Sequence, residues 1–188
     1  MRVLWPQSTY VQCFTVTMTR DDKNVQVFLA ALILMDDTLV QLEATELPQN
    51  KISALLSRVL SILLKKLSDS TQKVVEGSTL ALLSAASSPS VDIDILAKAA
   101  TKRIRSKDAN SRTLRARLTF LENIVAEFKE DVNWKPILRL LLGQKAFDHK
   151  DGGVRDAAKS LVISLMMVSL LFACSLSPHM FLRSLHLH

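Results

Sequence analysis

The stretch KDGGVRDAAKSL, residues 150–161, sets Asp151, Val154, Arg155, Ala157, Ala158 and Leu161 in order, immediately ahead of a long uncharged run. The pattern recurs upstream. Leu114 in NSRTLRARLTFL stands where Val154 does, with Arg115 under Arg155, Leu118 under Ala158 and Leu121 under Leu161. Val75 in KVVEGSTLALL, followed by Ser78, Thr79 and Leu82, gives a third match, and Val25 in KNVQVFLAALIL, followed by Leu29 and Leu32, a fourth. Successive matches lie 50, 39 and 40 residues apart, near the period of about 40–47 residues of two-helix repeat units.

Composition agrees with helices. Apolar residues make up 48% of the 188 residues but aromatics only 5%, and there are four Gly and five Pro. A Leu-, Ala-, Lys- and Ser-rich chain of this kind favours helix over strand. Each match should follow a partner helix. In KISALLSRVLSILLKKLSD the residues Ile52, Leu55, Leu56, Val59, Leu60, Leu63, Leu64 and Leu67 recur at three and four, the period of one helix face. VDIDILAKAATKRI, after SSPS, carries Ile93, Leu96, Ala97, Ala100 and Ile104. NWKPILRLLLGQKAF opens with Asn133 as a cap and Pro136 in the first turn, where a missing N–H does no harm. Helix 114–128 offers a single buried face of Leu114, Leu118, Leu121, Val125 and Phe128.

The Asp-x-x-Val-Arg-x-Ala-Ala-x-x-Leu string resembles the second helix of a HEAT repeat, the antiparallel helix pair of an α-solenoid. The expected fold is therefore all-α, with pairs at 51–87, 91–128 and 133 to about 167 preceded by a partial unit made mainly of helix 22–44, about three and a half pairs. The array is expected over 21–167, between a poorly defined segment 1–20 and an atypical hydrophobic tail 168–188. The polar stretches SDSTQ, SKDANS and DHKDGG fall inside pairs as short turns, while Pro48 and Pro89 separate them.

With turns of the type KLSDSTQKVVEGSTLALL and IRSKDANSRTLRARLTFLENIV, the pairs look like those of TOG domains, HEAT arrays that bind tubulin. Within that family, DDKNVQVFLAALILMDDTL and LLSRVLSILLKKLSDS are most similar to a TOG-like domain of centrosomal, ciliary-tip type. The resemblance implies αβ-tubulin or microtubules as partner, with other centrosomal or ciliary proteins, and a cytoplasmic, cytoskeletal location at centrosome or cilium. It also implies contact through the turns inside successive pairs, here Thr19–Asn24, Ser68–Lys73, Arg105–Arg112 and Phe147–Gly153. The contact candidates are Lys23, Lys73, Lys107, Arg112 and Lys150, with Gln72 and Asn110 as hydrogen-bonding neighbours. Asp151 and Arg155 take the structural role of repeat residues, the Arg bridging to an Asp of its own or the adjacent repeat. The chain departs from the family in two ways: its first turn, TMTRDDKN, lacks the usual Trp, and a full TOG domain has six pairs.

Charge points the same way. Residues 1–97 carry a net −2 and residues 118–188 a net +1, so the basic segment KAATKRIRSKDANSRTLRAR, 98–117, with eight basic and one acidic side chain, holds the whole excess of the +6 chain. Such a segment suits an acidic partner. Nucleic acid is read against, because no aromatics interleave for base stacking and no nucleic-acid motif is present. Cys13 and Cys174 lack ligand spacing, and His149, His179, His186 and His188 lack a carboxylate or Cys cluster, so neither metal nor cofactor is expected. No phosphate loop or nucleophile elbow occurs, so an enzyme is not expected. The N-terminus lacks the apolar core of a signal peptide. The uncharged run 160–182 is long enough to span a bilayer. Its first third is needed as core, however, and Ser and Pro interrupt the rest, so a membrane anchor is the lesser reading. The alternative function is a generic HEAT scaffold for protein partners, with that run as its tail anchor.

Overall fold

The computed structural model describes residues 24–43, 49–89, 91–102 and 110–176. Among these it holds seven α-helices: α1 Val25–Glu43, α2 Gln49–Lys66, α3 Gln72–Ser87, α4 Ile93–Thr101, α5 Ser111–Phe128, α6 Trp134–Gly143 and α7 Gly152–Leu176. Short 3-10 turns, Lys129–Asp131 and Ala146–Asp148, flank α6. The chain is all-α. It forms two compact units that divide between Lys102 and Arg103, inside the expected pair 91–128.

Most helix starts are written locally. Asn24, Asp92, Asn110, Asn133 and Asp151 each accept a backbone N–H from the first turn of the helix that follows, at 3.1, 2.8, 2.6, 3.1 and 2.9 Å. Each satisfies a donor that the helix cannot satisfy itself. At α3 the N-cap Thr71 makes no such side-chain bond. Instead Asp69 takes the Thr71 N–H at 3.0 Å and so tightens the turn.

In the first unit α1 packs on α3, and α2 packs on α3 and α4. The α1–α3 approach is close because α3 is built of small residues there. A Cβ on Gly77 would lie 2.9 Å from Leu32 Cδ1 and 3.1 Å from Leu29 Cδ2. Ser78 is fully buried, but its hydroxyl donates to the Val74 carbonyl at 2.7 Å, so its burial leaves no donor unmet. Leu60, Leu63, Leu82 and Leu96 fill the centre. Lys66 at the end of α2 pairs with Asp69 at 3.2 Å and lies 5.9 Å from the centre of the Phe28 ring.

In the second unit α5 and α7 pack along each other, and the turn Ala146–Asp148 contacts both α6 and α7. Contrary to the single face expected of it, α5 is buried more widely. Phe120 and Ile124 are as inaccessible as Leu118, Leu121 and Val125, while Phe128 is only partly covered. Ser160 Oγ donates to Glu122 Oε1 and ties α7 to α5.

The buried positions also settle the repeat register. Val74, Ser78 and Ala81 in α3, Leu114, Leu118 and Leu121 in α5, and Val154, Ala158 and Leu161 in α7 are all buried, at a constant spacing of 40. The α3 match therefore starts at Val74, not Val75. In α1 the corresponding residues are Phe28, Leu32 and Met35, 46 residues before those of α3. The expectation that the last helix stops near Met167 is corrected as well: α7 runs to Leu176. Nothing between 162 and 176 breaks it, since the run has no Gly or Pro, and Ser169 returns its hydroxyl to the Leu165 carbonyl at 2.9 Å. The first breaker is Pro178, which disfavours helix at the residue before it. Among the described residues no helix is long and apolar enough to cross a membrane.

Three outcomes follow for stability. A Gly77→Val variant must force Leu29 and Leu32 aside and should lower unfolding free energy in urea by about 1–3 kcal/mol. Gly77→Ala should be near neutral, because the gain in helix propensity of about 1 kcal/mol offsets a tight contact. Lys145, which ends α6 in the left-handed conformation at φ 49° and ψ 45°, should give a more stable protein when changed to Gly, by up to about 1 kcal/mol in the same measurement.

Candidate functional site

In the first unit the turn between α2 and α3 has an inward and an outward set of side chains. Ser68 Oγ donates to the Lys65 carbonyl at 2.9 Å, and Asp69 is held by the Thr71 N–H and by Lys66. Partial burial pushes the Asp69 carboxyl up, but the Thr71 N–H and the Lys66 ammonium outweigh it and leave the group below its ordinary range. Gln72 and Lys73 stay exposed, Gln72 Nε2 donating to Glu76 Oε1 at 2.9 Å. Lys73 is thus presented to solvent beside an acid already engaged by its own turn.

In the second unit two helix starts come together. Ser111, in the first turn of α5, lies beside the Asp151 carboxylate that caps α7, close enough to lower its pKa. This brings Asn110 and Arg112 into the neighbourhood of Lys150, and Arg112 and Lys150 are both exposed. Ser111 is the main cause of an Asp151 carboxyl held below the ordinary range; slight burial opposes it, and the N–H groups of Gly153 and Val154 and nearby His149 add to it. Asp151 also donates its backbone N–H to His149 Nδ1 at 3.1 Å. Asn110 is committed through Oδ1 to capping α5, by accepting from Thr113 N.

Among the described residues Arg155 pairs with no Asp; the adjacent turn with Asp108 lies outside them. The Arg155 Nη1 donates to the carbonyls of His149 at 2.7 Å and Lys150 at 3.3 Å, folding the turn back onto α7. The repeat pattern suggests a charged partner, but the close return of the chain at 149–150 offers two carbonyls first. One residue outside the candidate set joins the group. Arg115, exposed on α5, lies across the start of α7, where a Cβ on Gly153 would be 3.0 Å from its Nη1. The sequence holds a hint of this: at the positions 40 and 80 residues before Gly153, α5 carries Thr113 and α3 carries Lys73, so a glycine here replaces larger residues. Lys23 and Lys107 lie outside the described residues, as do most of the turns Thr19–Asn24 and Arg105–Arg112. Among the described residues no cluster of His, Cys, Asp and Glu could hold a metal ion.

The capping has measurable consequences. Asn110→Ala should cost about 1 kcal/mol of unfolding free energy through loss of the α5 cap. For Asp151, a folded-state pKa below the unfolded one means stabilisation that is complete above the ordinary value and lost as pH falls through the folded value, a window below about pH 4. Asp151→Asn, which keeps a capping oxygen, should therefore flatten the acid limb of a stability–pH curve.

Comparison with known families gives one match and one blank. No curated protein sequence matches the chain. The family model of the XMAP215/Dis1/CLASP TOG domain matches residues 8–182, which takes in all seven helices. TOG domains are structural modules that bind tubulin and microtubules and are associated with the cytoskeleton. The helix pairs, their 40-residue register and this match together place the chain in the XMAP215/Dis1/CLASP TOG-domain family.

Proposed function

We propose that this chain is a non-catalytic tubulin- or microtubule-binding module that makes its contact through the basic turns inside successive helix pairs. Family membership is the observation that carries the proposal. Exposure of Lys73, Arg112 and Lys150 at helix starts supports the choice of turns, and so does the concentration of net charge in residues 98–117. A basic edge steers an acidic partner and loses strength with salt. Lys23, Lys73, Lys107, Arg112 and Lys150 make the electrostatic contacts, with Gln72 as polar neighbour. Asn110 acts through the shape of its turn, because its oxygen is used in capping.

The site of action we propose is the centrosome or ciliary tip. DDKNVQVFLAALILMDDTL and LLSRVLSILLKKLSDS, at 21–39 and 55–70, resemble the TOG-like domain of the centrosomal protein of 104 kDa. A fluorescent fusion in ciliated cells tests this; a diffuse signal with no enrichment at tip or centrosome would remove it.

For tubulin itself, size-exclusion with αβ-tubulin at low and high salt is decisive. Binding should be seen at low salt and weaken as salt rises. Lys107→Glu with Arg112→Glu should weaken it about tenfold, two exposed charge contacts being worth roughly 1–1.5 kcal/mol when reversed. No complex at low salt, or one indifferent to the double reversal, would overturn the proposal.

A further inference from the structure

The outward side of α6 differs from that of its counterpart one repeat earlier. Ile137, Leu140 and Leu141 are buried and hold α6 in its unit, while Trp134 and Leu142 are 52% and 71% exposed and Leu138 is half-buried between them. Residues 134, 138 and 142 stand four apart, so they form one ridge about 12 Å long on the helix surface. Lys135 and Arg139, also four apart and both exposed, form the ridge beside it. Forty residues earlier, in the register that sets buried Ala97 and Ala100 against Ile137 and Leu140, α4 carries Asp94 and Lys98 on the first ridge, and Lys102 follows at the helix end. There Lys98 pairs with Asp94 at 3.7 Å along the helix. The repeat thus places charge where α6 places Trp, Leu and Leu.

The charge around the ridge defines what it suits. From 132 to 147 the chain holds three cations, Lys135, Arg139 and Lys145, and no carboxylate. Among the described residues neither Lys135 nor Arg139 makes an ion pair. Trp and Arg are side chains enriched at the energetic centre of interfaces, where the indole buries a large apolar area. A ridge with a four-residue step fits the groove between two ridges of another helix, and cations along its side draw carboxylates to the edge of that groove. An anionic lipid surface is a poorer match, because such surfaces are read by clusters of about four to eight basic residues, and this face has two.

We propose that the outward face of α6 is a docking surface for an acidic amphipathic helix of a partner protein. Apolar side chains three and four apart on that helix seat against Trp134, Leu138 and Leu142, and Asp or Glu on its flank meets Lys135 and Arg139. Trp134 is the apolar anchor; the two cations select an acidic helix over a neutral one. The contact uses none of the turn residues assigned to tubulin and does not depend on that assignment.

Trp134 reports on its own surface. The chain has two tryptophans, so in the full chain carrying Trp5→Phe the emission and its quenching by acrylamide read this face alone. The probe is a synthetic Trp-free peptide of about fourteen residues, four helical turns, with leucines along one face and glutamates beside them. A scrambled peptide of the same composition is the control. The probe should shift the emission to shorter wavelength saturably and protect Trp134 from acrylamide, less strongly as salt rises. Lys135→Glu with Arg139→Glu should weaken binding about tenfold, while thermal unfolding stays at or above the temperature of the parent, since both side chains are exposed and outside any ion pair among the described residues. No saturable shift, an equal response to the scrambled peptide, or indifference to the charge reversal overturns the proposal. A shift seen with phosphatidylserine vesicles and not with the peptide assigns the face to a lipid surface, and one seen on concentrating the chain alone assigns it to a second copy; either overturns the proposal.

Discussion

The structure depends on one constraint: the second helix of each pair must bury its face against the second helix of a neighbouring pair. Between α1 and α3 this is possible because Gly77 leaves room for Leu29 and Leu32 and because Ser78 returns its hydroxyl to its own helix. Between α5 and α7 Gly153 and the pair Ala157 and Ala158 serve the same end, with Ser160 bound to Glu122 across the contact. The constant spacing of 40 between buried triads in α3, α5 and α7 is the imprint of this packing on the sequence. No one helix of the set could keep its apolar face from water by itself, so the stability of each is shared with its neighbours.

The same helix ends decide the electrostatics. The starts of α1, α4, α5, α6 and α7 are each capped by an Asn or Asp side chain, and at α3 Asp69 has a related role two residues earlier. Carboxylates close to the turns are thereby engaged with backbone N–H groups, with Lys66 or with Ser111. Lys73, Arg112 and Lys150 are exposed. A count of charges along the chain lets acids and bases cancel; in the folded turns Asp69 and Asp151 are held by their own turns while Lys73 and Lys150 are exposed. This is why a chain whose first 97 residues are formally net negative still offers a basic residue at the α2–α3 turn, and why a tubulin-facing role is chemically coherent with it.

At the other end of the repeat series, α7 shows what the pattern leaves open. Its inner face obeys the 40-residue register while its outer face, from Ile163 to Leu170, breaks with the small and polar residues found at the same positions in α5. The helix also outlasts the repeat, because an uncharged run without Gly or Pro continues to Leu176. In the TOG-domain context that excess apolar surface is a local property of this chain.

The sequence by itself determined the helical class, the Asn133 cap and the family, because periodicity and Pro and Asx punctuation are local signals that survive without tertiary contacts. It also marked Lys73, Arg112 and Lys150 as candidates, since turns can be located from polar stretches alone. Only the tertiary structure decided between Val74 and Val75, two adjacent β-branched residues that fit the pattern equally until packing buries one of them. Only it could show that α5 is buried on more than one side, that Arg155 donates to the carbonyls of His149 and Lys150, and that Arg115 reaches across Gly153. Those outcomes depend on which surfaces meet across 40 residues of chain, and no local signal carries that distance.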